Sequence, residues 1–154
     1  IQNALFAPTA RVNGLIVPHC TYTDPEVASV GANPHSLQKS GIAFDRFEFD
    51  LSDLDRSRAD PAIKSRPVQH AEVYTQQGTD KLLGATIIGH DAGELLAPIC
   101  LMMSNGLGLS AAQKTIFSYP TRSEYLKRLG DAYNRGRMTP TVAKLFQWWL
   151  RRTS

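Results

Sequence analysis

The chain has 154 residues, 42% of them hydrophobic and 20% charged, with a formal net charge of +3. That length suits one domain with a single sizeable core, and the composition is that of a soluble globular protein. No apolar run approaches the roughly 18 residues that a membrane-spanning helix needs, and acids interleaved with the Lys and Arg leave no concentrated basic face of the kind that binds nucleic acid.

The chain opens on Ile1 with "IQNALFAPTARVNG" and no helix-start or charge signal, which is expected of a piece cut from a longer polypeptide or of one that has lost a tag or propeptide. "GLIVPHCTYTDPEVASVG" (14–31) then gives a short β-rich run, a turn at Thr23-Asp24-Pro25-Glu26 and a second run ending in Gly31. Asn33 reads as an N-cap, with Pro34 at the first helical position and Gly41 just past the end, so a short helix is predicted over 34–40. "FDRFEFDL" alternates, with Phe47, Phe49 and Leu51 on one side and Arg46, Glu48 and Asp50 on the other, which predicts a strand with one wet face. The polar stretch 52–67 reads as a long loop holding at most a helical turn.

"HAEVYTQ" and "KLLGATIIG" flank Gln77-Gly78-Thr79-Asp80 as a β-hairpin. Asp91 and Glu94 read as an acidic capping box ahead of "LLAPICLMMSNGLG", a helix apolar on nearly every side and therefore central. Pro98 inside it should remove one backbone hydrogen bond, at about 3 kcal/mol unless compensated. A short helix at 110–114 and a longer one from 121 to about 135 follow, the second with Thr121 as N-cap and Glu124 completing its capping box. Strands first and helices after predict an α+β fold, an antiparallel sheet with helices on one face.

The last segment, "TPTVAKLFQWWLRR", is predicted as a further helix over 139–152, with Val142, Leu145, Phe146, Trp149 and Leu150 on one stripe and Lys144, Trp148, Arg151 and Arg152 opposite. A docking helix with basic residues at its C-terminal end accounts for this pattern better than a membrane-surface contact, because one short helix binds a membrane weakly. The expected division is therefore a domain at 1–135 and a helical extension at 136–154.

Residue chemistry alone singles out little. Cys20 and Cys100 stand eighty positions apart without CxxC spacing, so no disulfide framework is expected and a reducing, cytoplasmic setting fits. The sequence has no GxGxxG, phosphate-binding loop, HExxH or metal-spaced Cys/His cluster, and "GLGLSA" (106–111) follows a helix rather than a strand. His19 and Cys20 neighbour each other on a strand and so point to opposite faces. His35, His70 and His90 each read as a solvated or core-edge histidine rather than a ligand, and no metal site is expected.

Three motifs in order nevertheless carry a resemblance: Thr23-x-Pro25-Glu26 with Val30-Gly31; Leu83-Gly84 through Ile88-Gly89 to Ala92-x-Glu94; and Pro120-Thr121-x-x-Glu124. Over residues 1–135 the chain resembles the C-terminal dimerisation domain of the pyridine nucleotide–disulfide oxidoreductases, the flavoenzymes of the dihydrolipoamide dehydrogenase, glutathione reductase and mercuric reductase kind. The resemblance implies a homodimer, with FAD- and NAD(P)-binding domains preceding this one, the redox-active cysteine pair in the FAD domain, and no cofactor held by this segment alone. It also implies that a His-Pro-Thr-x-x-Glu segment reaches into the partner's active site, where the His exchanges protons with a thiol beside the flavin and the Glu orients it.

Position 119 is Tyr instead, and a phenol of pKa near 10 is a poor proton shuttle at neutral pH. Tyr119 and Glu124 are thus the catalytic candidates, Tyr119 and Pro120 the residues near the partner's flavin, and Phe117, Tyr119, Pro120, Arg122 and Tyr125 the dimer contacts. A Tyr at this place also resembles the mercuric-reductase branch. That branch ends in a vicinal cysteine pair, whereas this chain ends in "WWLRRTS". The alternative from another class is a stand-alone dimeric interaction module that kept the fold without the enzyme.

Overall fold

The computed structural model describes residues 15–64 and 68–137, together with Trp148, Trp149 and Arg152. Its elements run β1 (Pro18–Thr21), β2 (Glu26–Gly31), α1 (Pro34–Lys39), β3 (Phe44–Asp50), a 3-10 turn (Leu51–Asp53), α2 (Asp55–Ala59), α3 (Pro61–Lys64), β4 (His70–Gln76), β5 (Leu82–Gly89), α4 (Ala92–Ser104), α5 (Leu109–Lys114) and α6 (Glu124–Gly136). The five strands form one antiparallel sheet in the order β1-β2-β5-β4-β3. β5, the last strand in the chain, therefore inserts between β2 and β4. The expected α+β architecture is the one that forms.

The register explains which face is covered. Ala28 and Val30 of β2, Ala85 and Ile87 of β5, and Ala71 and Val73 of β4 share one face through the pairs Val30↔Ala85, Val73↔Ala85 and Ala71↔Ile87, and all are essentially inaccessible. Against this face lie Leu95, Leu96, Ile99 and Met102 of α4 and Tyr125, Leu126, Leu129 and Tyr133 of α6. Their three- and four-residue spacing gives each helix an apolar stripe. Phe47 of β3 extends the layer by packing edge-on to Tyr133 at 5.6 Å between ring centroids. α4 runs unbroken through Pro98.

Several local expectations hold and others need correction. Asn33 caps α1 reciprocally: its Oδ1 accepts from the Ser36 N–H at 2.8 Å, and the Asn33 N–H donates to Ser36 Oγ at 3.0 Å. The polar stretch after β3 is more ordered than a loop, because Leu51, Leu54 and Ile63 are buried and hold its helical turns against the domain; apolar residues that sparse give no readable period. Asp91 does not serve α4 with its side chain; it takes a left-handed conformation at φ 52. The Gly93 N–H donates to Glu26 Oε2 of β2 instead, at 3.3 Å. Likewise α6 begins at Glu124 after Ser123 with no side-chain cap, and Thr121 Oγ1 donates to the Ser118 carbonyl at 2.7 Å, so the predicted Thr121–Glu124 capping box is not formed.

Gly31 and Gly84 face each other across β2 and β5. A Cβ on Gly84 would collide with the Ala32 backbone, and Gly31 has φ 72. Only glycine admits both conditions cheaply, so these motif positions serve the strand crossing, where the Ala32 N–H donates to the Leu83 carbonyl at 2.9 Å. The predicted 139–152 helix lies outside the described residues except for Trp148, Trp149 and Arg152. Of these, the Arg152 guanidinium stacks over the Trp148 ring at 4.4 Å.

Candidate functional site

The segment from α5 to α6 carries the candidate residues, and its two ends are held differently. On the α6 side the Tyr125 hydroxyl donates to the Leu95 carbonyl at 2.6 Å inside the core. Arg122, its side chain only 11% exposed, donates through Nη1 to Asp91 Oδ2 at 3.1 Å and through Nη2 to the His90 carbonyl. This clamp ties the segment to the β5–α4 junction and gives Asp91 its task. Of the expected dimer contacts, Arg122 and Tyr125 thus turn their side chains onto partners within their own chain.

Between these anchors and α5, the segment is open. Tyr119 is 69% exposed, Pro120 is exposed, and the Tyr119–Pro120 peptide is cis. The Tyr119 hydroxyl donates to Asp55 Oδ2, at the first residue of α2, at 2.6 Å. Glu124, the expected partner of residue 119, pairs with Arg128 one turn along α6 at 2.6 Å. The structure therefore does not join Tyr119 and Glu124 as a dyad; each has its own oppositely placed partner.

The hydrogen bond that Tyr119 donates to Asp55, and then the charge of that carboxylate, raise the Tyr119 pKa above the ordinary phenol value. Glu124 adds to the rise and Arg128 opposes it. A proton already held to about pH 10 in a free phenol is held more firmly here, so Tyr119 is a neutral hydrogen-bonding group at physiological pH rather than a base. Asp55 had no sequence signal, since it stands 64 positions away in a stretch without periodicity.

Apolar side chains are exposed on α4, on the α4–α5 turn and in the segment before Tyr119. Ile116 is 96% exposed, and Leu101 and Leu107 are exposed as well. Pro98, Leu101, Leu107, Ala111, Phe117 and Leu126 line a groove of about 180 Å³ between α4, α5 and α6. Phe117, a predicted contact, is half-buried in it. Cys20 and Cys100 are free and half-buried against the core, and burial pushes the Cys100 thiol pKa up.

On the other face of the sheet, Glu48, His70 and Glu72 bring three metal-type donor atoms within 4.8 Å of one another. The sequence reading missed this convergence, which follows from the Glu48↔Glu72 pair and the same-face spacing of His70 and Glu72. Arg46 Nη2 lies 2.5 Å from Glu72 Oε2 and 3.1 Å from Glu48 Oε2. The guanidinium supplies the positive charge that an ion would otherwise bring, and the cluster reads as an ion-pair network.

Residues 17–129 match the family described as the pyridine nucleotide-disulphide oxidoreductase dimerisation domain, and the chain belongs to that family. Among curated relatives, it is 34% identical over 117 residues to a dihydrolipoyl dehydrogenase of Trypanosoma brucei brucei, covering 76% of this chain and 24% of the relative. It is 32% identical over 126 residues to the mitochondrial dihydrolipoyl dehydrogenase of Dictyostelium discoideum, covering 81% and 25%. The chain thus spans about a quarter of the length of these relatives. Among solved structures, it superposes with a TM-score of 0.73 on the Cu(II) complex of the HOCl-induced flavoprotein disulfide reductase RclA from Escherichia coli, at 20% identity over 85% of this chain and 29% of that one. That likeness supports the fold.

Proposed function

We propose that this chain is the self-association domain of an FAD- and NAD(P)H-dependent oxidoreductase, working as a homodimer in a reducing, cytoplasmic setting. In this reading the Tyr119–Pro120 loop is offered to the partner subunit's flavin site. The observations that carry it are an exposed aromatic loop, anchored from behind by Arg122 and Tyr125, and an open apolar groove lined by Leu101, Leu107 and Phe117, the last of them two residues before Tyr119. An apolar patch of this kind marks an association surface, and a two-fold contact would present the same patch from both copies.

The substrate class follows from the chemistry of residue 119. A neutral phenol does not relay protons as an imidazole does, so Tyr119 supports flavin chemistry with an acceptor other than a simple lipoamide-type disulfide. The mercuric-reductase-like label rests on this tyrosine alone, whereas the curated relatives are dihydrolipoyl dehydrogenases. Glu124, paired with Arg128, supports the start of α6 and no longer has an imidazole to orient.

Sedimentation of the 154-residue chain tests the first part. A dimer is expected, with Leu101→Asp and Ile116→Asp each giving monomer without loss of helical signal. A wild-type chain that remains monomeric at the highest attainable concentration would overturn the association surface. For the second part, the polypeptide extended through its upstream coding sequence is expected to carry flavin absorbance and to oxidise NAD(P)H with a panel of quinones, disulfides and Hg(II). A start codon immediately before Ile1 would favour the stand-alone module instead.

A further inference from the structure

Tyr119 is fixed at three points. Behind it, Arg122 is clamped to Asp91 and the His90 carbonyl. Before it, Phe117 packs against the core. At its tip, the hydroxyl donates to Asp55. Asp55 is itself on a firm base, because Leu54 and Ser57 on either side of it are buried at 1% exposure. The contact therefore joins two anchored segments rather than two free surface side chains.

A phenol has one hydrogen to donate and lone pairs with which to accept. A carboxylate at neutral pH only accepts. Once Asp55 has taken the hydrogen, the Tyr119 oxygen can present nothing but a lone pair to a second group. We propose that Asp55 is the positioning residue of Tyr119, and that by taking its only hydroxyl hydrogen it makes Tyr119 an acceptor, so that the group docking against this loop is a donor: an N–H, an O–H or an S–H. The role that the family resemblance would give to Glu124 is carried here by a carboxylate from a different element. Glu124 is occupied by Arg128. This deepens the proposed function and rests on it only for what docks against the loop.

The test begins with the 154-residue chain labelled with 13Cζ-tyrosine and titrated by NMR, with the Tyr119 resonance assigned by its loss in Tyr119→Phe. Because Asp55 is the largest cause of the raised Tyr119 pKa, Asp55→Asn and Asp55→Ala are each expected to move the Tyr119 titration to lower pH, and Glu124→Gln to move it less. Thermal unfolding of the same variants separates this from a loss of fold. An unmoved titration in both Asp55 variants, or a shift in Glu124→Gln as large as theirs, overturns the assignment.

The docking half is read from the dimer dissociation constant of the polypeptide extended through its upstream coding sequence, because in this reading the flavin site that receives the loop lies in the preceding domain. Asp55→Ala and Tyr119→Phe are each expected to weaken association by roughly 3- to 10-fold, the value of one hydrogen bond, and the double variant by no more than either alone. Additive losses, or none, overturn it. Should the wild-type chain prove monomeric, the association reading falls while the titration still decides the role of Asp55.

Discussion

The two faces of the sheet solve the problem of burial in opposite ways. Under α4 and α6 the covered face is built from Ala28, Val30, Ala71, Val73, Ala85 and Ile87, all buried in one apolar cluster. On the opposite face β3 and β4 carry Arg46, Glu48, His70, Glu72 and Tyr74, linked by ion pairs and by the Tyr74 hydroxyl donating to Glu72. Non-directional packing holds the first; directional polar contacts, half in water, hold the second. Each face also buries one tyrosine hydroxyl system: Tyr125 sits against the covered face, while Tyr74 lies fully buried on the polar one, with Phe44 edge-on at 5.9 Å.

Alkaline titration probes both faces at once and carries the largest effect. Burial, followed by the hydrogen bond to Glu72, pushes the Tyr74 pKa up to about 12, and burial raises that of Tyr125 further. Both phenols keep their protons in the folded chain above pH 10, where the unfolded chain begins to release them. The stability this represents is complete below pH 10 and is lost as pH rises, through about 12 for Tyr74 and beyond it for Tyr125. Two such groups give a loss that steepens from about 1.4 kcal/mol per pH unit at pH 10 to about 2.4 near pH 11, and eases again as Tyr74 itself begins to ionise near 12. Tyr74→Phe should halve that slope, as denaturant unfolding at fixed pH values would measure; an unchanged slope would mean the polar face is open to water at Tyr74.

A second pair of variants sets the covered face against the helices' outer surface. Ile99 and Leu101 stand two positions apart on α4, the first inaccessible and the second 65% exposed. Ile99→Ala is expected to cost about 3 kcal/mol of unfolding free energy through lost burial and the cavity left behind. Leu101→Ala should change stability by less than about 0.5 kcal/mol while weakening self-association. Equal effects on monomer stability would erase the distinction between core and association surface.

Local features of this architecture were legible because their causes lie within a few residues. The alternation of Arg46, Phe47, Glu48 and Phe49 set β3, the Asn33-Pro34 pair set the start of α1, and the nearly continuous apolar run set α4. What escaped were contacts closed by the fold over long separations. Glu26 reaches the Gly93 N–H across 67 positions, and Tyr119 reaches Asp55 across 64. Asp91 read as a cap because its spacing to Glu94 is right, but its carboxylate is drawn to Arg122 instead. A carboxylate offers several acceptor sites, and in the folded chain a nearby guanidinium wins over a backbone amide. The candidate site was thus half visible: the loop and its tyrosine could be found from the motif, while the identity of the partner that holds the phenol could not.

The polar face yields the smallest and most discriminating effect. Arg46 bridges Glu48 and Glu72, and of these the Glu72 side chain is only 14% exposed. Arg46→Met keeps most of the apolar stem while removing the charge, leaving Glu72 with the Tyr74 hydroxyl and with His70 Nε2 at 3.6 Å. The expected loss at pH 7 is about 1–2 kcal/mol, less than for a fully buried pair because Arg46 itself is half in water. Adding Glu72→Gln should recover most of it, since the cost comes from a carboxylate left without its counter-charge rather than from a missing arginine contact. If the double variant is as unstable as Arg46→Met alone, the guanidinium acts through packing, and the polar face would then be held together by the same non-directional contacts as the covered one.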